Sequence, residues 1–312
     1  MHSEGSSHKE EDNDLFVSQA QETTTTTTAT TAAGTVVSLW RYPVKSMLGE
    51  ELNSSYVTER GLVGDRSYAV LDKETGKVAS AKNPRKWGNL FDFRAAFIED
   101  PPQVAENIPP VRITFPDGTH IYSDQADDID HALSKVLGRE VRLMRANLEN
   151  PSYEEYWPDI EGLAQREKVT DEAMPPQTFF DIAVIHIFTT STIDRLRELY
   201  PEGRFEVRRF RPNIVIESAS SSSSGEKKEK KKKDFIENLW VGKKLMIGED
   251  IILRVIAPCT RCVMITLPQA DLPNDLGILR TVAQYNQVTA GVYATVHKGG
   301  TIRRGDQVLL EE

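Results

Sequence analysis

Apolar and polar positions alternate in short runs along most of the chain, and the alternation predicts strands at Val36–Trp40, Ser67–Leu71 and Ala95–Ile98. Val111–Phe115 and His120–Ser123 flank Pro116-Asp117-Gly118, residues that favour a hairpin turn. A helical pattern covers Asp128–Leu137 and stops at Gly138, where glycine accepts the left-handed conformation. The stretch from Pro151 to Pro176 reads as a polar connection. Strands follow at Ile182–Phe188, Asn213–Ile216, Ile251–Ile256 and Gly291–Val296, with a helix at Thr192–Leu199 and a closing hairpin across Lys298-Gly299-Gly300. Many short strands with Gly-rich turns predict a mainly β fold with minor α, a barrel or sandwich rather than a doubly wound sheet.

Two stretches lack apolar periodicity. Residues 1–34, ending in a threonine tract, read as a disordered tail, and 218–233 as a disordered insertion where a serine run passes into lysines. With 312 residues, two domains are expected. The net charge of -9 argues against nucleic-acid or acidic-membrane partners. Because Glu226–Lys233 alone contributes six Lys and two Glu, the remainder is more acidic still, and any anion site must be a local gathering of cations. Two cysteines are too few for a disulfide framework and fit a reducing compartment. Without a signal-like or membrane-spanning apolar stretch, the expected location is cytoplasmic.

Both cysteines fall in Ala257-Pro258-Cys259-Thr260-Arg261-Cys262, after a predicted strand. Four readings compete: half a zinc site, a thioredoxin-like redox pair, a buried inert pair, or one thiolate ligand to a metal whose other ligands come from a cofactor. Four further clusters could cradle an anion: Arg41-Tyr42-Pro43-Val44-Lys45-Ser46, Gly64-Asp65-Arg66, Thr189-Thr190-Ser191 at a strand-to-helix junction, and Phe210-Arg211-Pro212-Asn213. Each alone is more often structural; their joint presence favours a site.

Taken in order, YPVKS at Tyr42–Ser46, GDR at Gly64–Arg66, FRPNIVI at Phe210–Ile216, Trp240-Val241-Gly242 leading to Ile247-Gly248, and CTRC at Cys259–Cys262 resemble MOSC proteins. The pattern is similar to that of the mitochondrial amidoxime reducing component and its bacterial homologues. The resemblance implies an N-terminal MOSC β-barrel domain over 35–150 and a MOSC domain over 151–312, with a molybdenum cofactor between them. It also implies that Cys262 coordinates molybdenum and is the catalytic position. The cofactor-holding positions it implies are Lys45, Ser46, Arg66, Thr189, Thr190, Ser191, Arg211, Asn213, Thr260, Arg261 and Tyr293. The expected function is reduction of small N-hydroxylated or N-oxygenated compounds, with electrons from a separate cytochrome b5-like or ferredoxin-like protein. The alternative is a molybdenum cofactor carrier or a sulfur-transfer module. No general acid can be assigned from the sequence.

Overall fold

The computed structural model describes residues 29–103, 108–219 and 235–311. Most of the expected tail and insertion, residues 1–28 and 220–233, lie outside the described residues. Where the expected tail overlaps them it is corrected: Thr30 to Gly34 already belong to the first strand, Thr30–Arg41, paired with the last strand, Gln307–Glu311. Edge pairing rather than apolar periodicity orders these residues, so composition alone could not show them as strand.

That first strand closes a barrel. Its staves run in the order Ile214–Ser218, Ile185–Thr189, Thr289–Lys298, Ile251–Thr260, Lys244–Ile247, Gln307–Glu311 and Thr30–Arg41, which pairs back onto Ile214–Ser218. The mainly β barrel expected from the alternation is therefore present. One contact is parallel, Ile185–Thr189 with Ile214–Ser218, and the helix Thr190–Leu199 supplies its crossover. The barrel is filled by Val36, Leu39, Ile185, Ile187, Ile214, Ile216, Leu253, Val255, Val292 and Ala294, all buried in one cluster.

The strands Tyr68–Asp72, Arg94–Phe97, Val111–Thr114, His120–Tyr122 and Val141–Arg145 build smaller sheets around a second core that includes Val70, Trp87, Phe93, Ile113 and Leu133. The expected 111–123 hairpin and the helix capped at Gly138 form there. A seam of Ala81, Phe91, Val263 and Leu267 joins the two parts.

Three expectations need correction. Residues 152–173 are not a loop: Ser152–Trp157 and Lys168–Ala173 form an antiparallel hairpin. Its many carboxylates hid the two-residue alternation. The strand Gly300–Arg303 does not fold back on Thr289–Lys298 but pairs with Ser54–Thr58, because the chain turns away at Gly299. A Cβ there would lie 2.4 Å from the Val57 carbonyl oxygen, so the close approach requires glycine. The helix Leu276–Asn286 was not foreseen; Asp275 caps it by accepting from Gly277 N–H.

Candidate functional site

Strand alternation carries side chains out of the barrel as well as into it. Ile185 and Ile187 point into the barrel core, so His186 between them points the other way; Tyr293 stands likewise between Val292 and Ala294. On the neighbouring strand the pairing shifts between Val255 and Ala257 and again between Pro258 and Thr260. Such bulges re-aim side chains, and Cys259 joins His186 and Tyr293 on the outer face.

These residues form one wall of a cavity of about 320 Å³, within the size range of ligand pockets. The opposite side comes from residues 45–82, the hairpin 152–173 and the segment 179–183. The expected Lys45, Ser46, Arg66, Arg211, Asn213, Thr260, Arg261, Cys262 and Tyr293 all line it. Residues separated by more than two hundred positions thus converge, as the anion-cradle reading requires.

Thr189, Thr190 and Ser191 do not line the cavity. Thr189 is fully buried; its hydroxyl accepts from the Thr192 backbone N–H and donates to Glu237 at 2.7 Å. The run that looked like a phosphate cap closes its own helix, on an internal carboxylate. Burial raises the Glu237 pKa above the ordinary carboxylate value.

Three cavity residues, Ser46, Arg66 and Arg211, have positive φ of 63°, 48° and 55°. Left-handed backbone is unfavourable for side chains with a Cβ, and its concentration here marks positions held by their surroundings. The Ser46 hydroxyl accepts from Ala81 N–H at 3.1 Å. Asp65, buried, pairs with Arg66 and accepts from Asn213 Nδ2 at 2.9 Å and Tyr42 N–H at 2.7 Å, tying three of the sequence motifs together.

Five cations line the cavity: Lys45, Arg66, Lys82, Arg211 and Arg261, against the carboxylates Glu155, Glu172 and Asp181. Their pairing is uneven. Lys45 Nζ donates to Asp181 and to the Phe179 carbonyl at 3.0 Å. Lys82 Nζ reaches Tyr153 Oη at 2.9 Å, Glu155 at 3.1 Å and Asp181 at 3.4 Å. Burial works against charge on Lys82, but Asp181, Cys262 and Glu155 outweigh it and hold the ammonium protonated. Arg211, in contrast, has no carboxylate within ion-pair distance among the described residues. Its Nη1 donates to the Met47 carbonyl at 2.7 Å and its guanidinium lies 4.2 Å from the Tyr42 ring centroid. Burial, with Arg66 adding repulsion, lowers its pKa to about 10, so it stays charged at neutral pH.

The two cysteines differ. Cys259 is 1% exposed. Burial raises its pKa, but the Arg261 guanidinium and His186 more than reverse this and bring the thiol down to about 6. Cys262 is half-buried, and burial pushes its thiol up to about 11 against the pull of Lys82. Sequence reasoning missed Lys82, Tyr153, Glu155, Glu172, Asp181 and His186. A hairpin reading of 152–157 would have put Tyr153, Glu155 and Trp157 on one face; nothing local singles out Lys82 or Asp181. No group of three or more His, Cys, Asp or Glu able to hold a metal by themselves occurs among the described residues, and no described helix is long and apolar enough to cross a membrane.

Comparison with known proteins places this arrangement. Residues 33–93 match the MOSC N-terminal beta barrel domain and residues 176–309 the MOSC domain. Mitochondrial amidoxime-reducing component 1 of Mus musculus is 22% identical over 307 residues, 89% of this chain and 82% of the relative. Mitochondrial amidoxime reducing component 2 of Homo sapiens is 24% identical over 303 residues, 88% of this chain and 83% of the relative. Among solved structures, the YUAD protein from Bacillus subtilis aligns over 91% of this chain and 97% of its own, with 9% identity and a TM-score of 0.41. The chain belongs to the MOSC proteins, carrying a MOSC N-terminal β-barrel domain followed by a MOSC domain.

Proposed function

We propose that the cavity holds a molybdenum cofactor and that the protein reduces small N-hydroxylated compounds with electrons from a separate donor protein. The observation that carries this reading is Arg211, a guanidinium 7% exposed and without a carboxylate partner among the described residues, in the same cavity as the half-buried thiol of Cys262. A buried cation left uncompensated destabilises a fold, and an anionic ligand would supply the missing charge. Arg261 Nε is likewise buried without a hydrogen-bond partner.

The donor set fits a pterin dithiolene phosphate. Such a group brings its own sulfurs, so one protein thiolate and a set of cations complete it, in line with the lack of a self-sufficient metal cluster among the described residues. Cys262 would be the protein's ligand to the metal. Arg66, Arg211 and Arg261 would hold the phosphate, with Lys45 beside them, and Asn213 would be fixed by Asp65. When bound, the cofactor supplies two-electron removal of oxygen from nitrogen. The chain's own part is to bind and orient. Lys82 Nζ holds its proton near Cys262, favouring the thiolate that a metal requires. Phe179, Phe180 and Tyr153 contribute aromatic surface to the cavity walls.

The resemblance to amidoxime-reducing components supports the substrate class. The test is molybdenum content of the purified protein beside Cys262→Ala, followed by turnover of benzamidoxime with an artificial reductant. Wild type should contain molybdenum and consume the substrate, and Cys262→Ala should do neither. Metal without turnover would remove the reductase assignment; no molybdenum in wild type would remove the cofactor itself.

A further inference from the structure

The cofactor reading gives Cys262 a role and leaves the other cysteine without one. Cys259 is the more deeply buried of the two, yet it is surrounded by polar groups from three adjacent strands. Arg261 Nη1 donates to its sulfur at 2.8 Å. His186 and Tyr293, on the two strands that follow across the barrel wall, face the same sulfur, and His186 Nε2 is buried with no hydrogen bond of ordinary geometry.

The Arg261 side chain is held at two points: Nη1 on Cys259 Sγ and Nη2 on the Phe210 carbonyl at 2.8 Å. Its Nε remains without a partner. No carboxylate lies within ion-pair distance of this guanidinium among the described residues, although it is only 9% exposed. Every other cavity cation except Arg211 has an acid: Asp181 for Lys45, Asp65 for Arg66, Glu155 and Asp181 for Lys82.

We propose that Cys259 is a counter-ion to Arg261, ionised at neutral pH, a positioning residue that holds this guanidinium in the cavity before any anionic ligand arrives. The C-x-x-C motif then divides its labour: the first cysteine supplies a fixed negative charge inside the wall, and the second faces the cavity. A carboxylate would serve the same electrostatic purpose. The groups facing the sulfur, Arg261, His186 and Tyr293, include one permanent cation and no carboxylate, which agrees with the lowered pKa of Cys259. The role of Arg261 as an anion holder rests on the proposed function; the charge state of Cys259 does not.

The sulfur's ionisation can be read directly, because Cys262→Ala leaves Cys259 as the chain's sole thiol. Thiolate absorbance near 240 nm, taken against a Cys262→Ala, Cys259→Ser blank, should titrate with a midpoint at about 6. A midpoint at or above that of a free cysteine, about 8.5, overturns the proposal. A second measurement guards against a perturbed fold. Since ionisation is favoured in the folded state, its contribution to stability is complete above about pH 8.5 and is lost as pH falls through the folded value. The melting-temperature gap between wild type and Cys259→Ser should therefore be widest near pH 9 and close toward pH 5. Cys259→Asp should restore part of it at pH 7. A gap independent of pH, with Asp no better than Ser, means that the sulfur matters only as packing and sinks the idea. Neither arm requires cofactor, so a thiol that titrates normally in Cys262→Ala, while wild type contains molybdenum, removes this inference alone. A protein that never retains molybdenum but shows the low midpoint removes only the functional reading.

Discussion

Within single strands of this molecule one face is apolar and regular while the other is charged and strained. Ile185, Ile187, Leu253, Val255, Val292 and Ala294 fill the barrel with no polar atom among their side chains. His186, Cys259 and Tyr293, on the same three strands, look onto a cavity lined by five cations, and three residues that line it have left-handed backbone. The barrel face supplies folding energy through burial. The cavity face holds charges, among them Arg211, whose burial no carboxylate within ion-pair distance offsets among the described residues, and it can hold them because the barrel behind it is rigid.

The largest expected effect comes from breaking the apolar face. Leu253 is fully buried, and Leu253→Ala should lower the unfolding free energy by about 3 kcal/mol, the central value for a leucine that leaves a cavity behind. Urea denaturation reads this directly. A loss below about 1 kcal/mol would mean that the barrel can collapse around the gap and is not the rigid support described.

Arg211→Met is the complementary change. Methionine keeps most of the apolar stem and removes a buried charge that has no acid within ion-pair distance among the described residues, so the melting temperature should stay the same or rise. Affinity for inorganic phosphate should fall by about a factor of 10 or more, the loss expected when a charge-assisted hydrogen bond is removed. Calorimetry and thermal melts on the same samples separate the two quantities. If Arg211→Met destabilises as strongly as Leu253→Ala, the contrast between the two faces does not hold.

The barrel was legible in the sequence because its strands alternate and its turns carry glycine. The convergence of Lys45, Arg66, Arg211 and Cys262 followed from motif resemblance, and no local feature of Lys45 or Arg66 distinguishes it from an exposed cation. What escaped has physical causes. The hairpin 152–173 buries only part of one face, and Glu154, Glu155, Asp171 and Glu172 made it look like a solvated loop, yet it brings Tyr153, Glu155 and Glu172 to the site. Thr189 and Thr192 have the chemistry of an anion cap, but Glu237, 48 and 45 positions away, takes both hydroxyls. Lys82 matters only because the fold carries it to Tyr153 and Asp181, a contact no spacing rule encodes.

Acid titration gives a smaller effect on the cavity side. Burial tends to raise the Asp181 pKa, but Lys45 and Lys82 prevail and hold the carboxyl well below the usual range. A carboxylate with a depressed folded pKa adds stability that is fully present above its unfolded value, about 3.9, and is lost as pH falls toward the folded value. Wild type should therefore lose stability from about pH 4 downward through this group, and Asp181→Asn should show a flatter acid limb with lower stability at pH 7. Parallel slopes would show that Asp181 is not coupled to the two lysines.

The smallest effect belongs to the solvent end of a strand that also serves both faces. Thr289–Lys298 places Val292 in the barrel, Tyr293 in the cavity and Lys298 outside, where its ammonium pairs with Asp250 at 3.2 Å. Both side chains of that pair are more than half exposed, so water and salt screen the attraction and holding two long side chains together offsets much of it. Lys298→Ala should change stability by no more than about 0.5 kcal/mol, and the change should shrink further in high salt. It should leave phosphate binding untouched. If this substitution altered phosphate affinity as much as Arg211→Met does, the cavity would be responding to the general charge of the molecule. Local placement of cations, the basis of the contrast between the faces, would then be the wrong explanation.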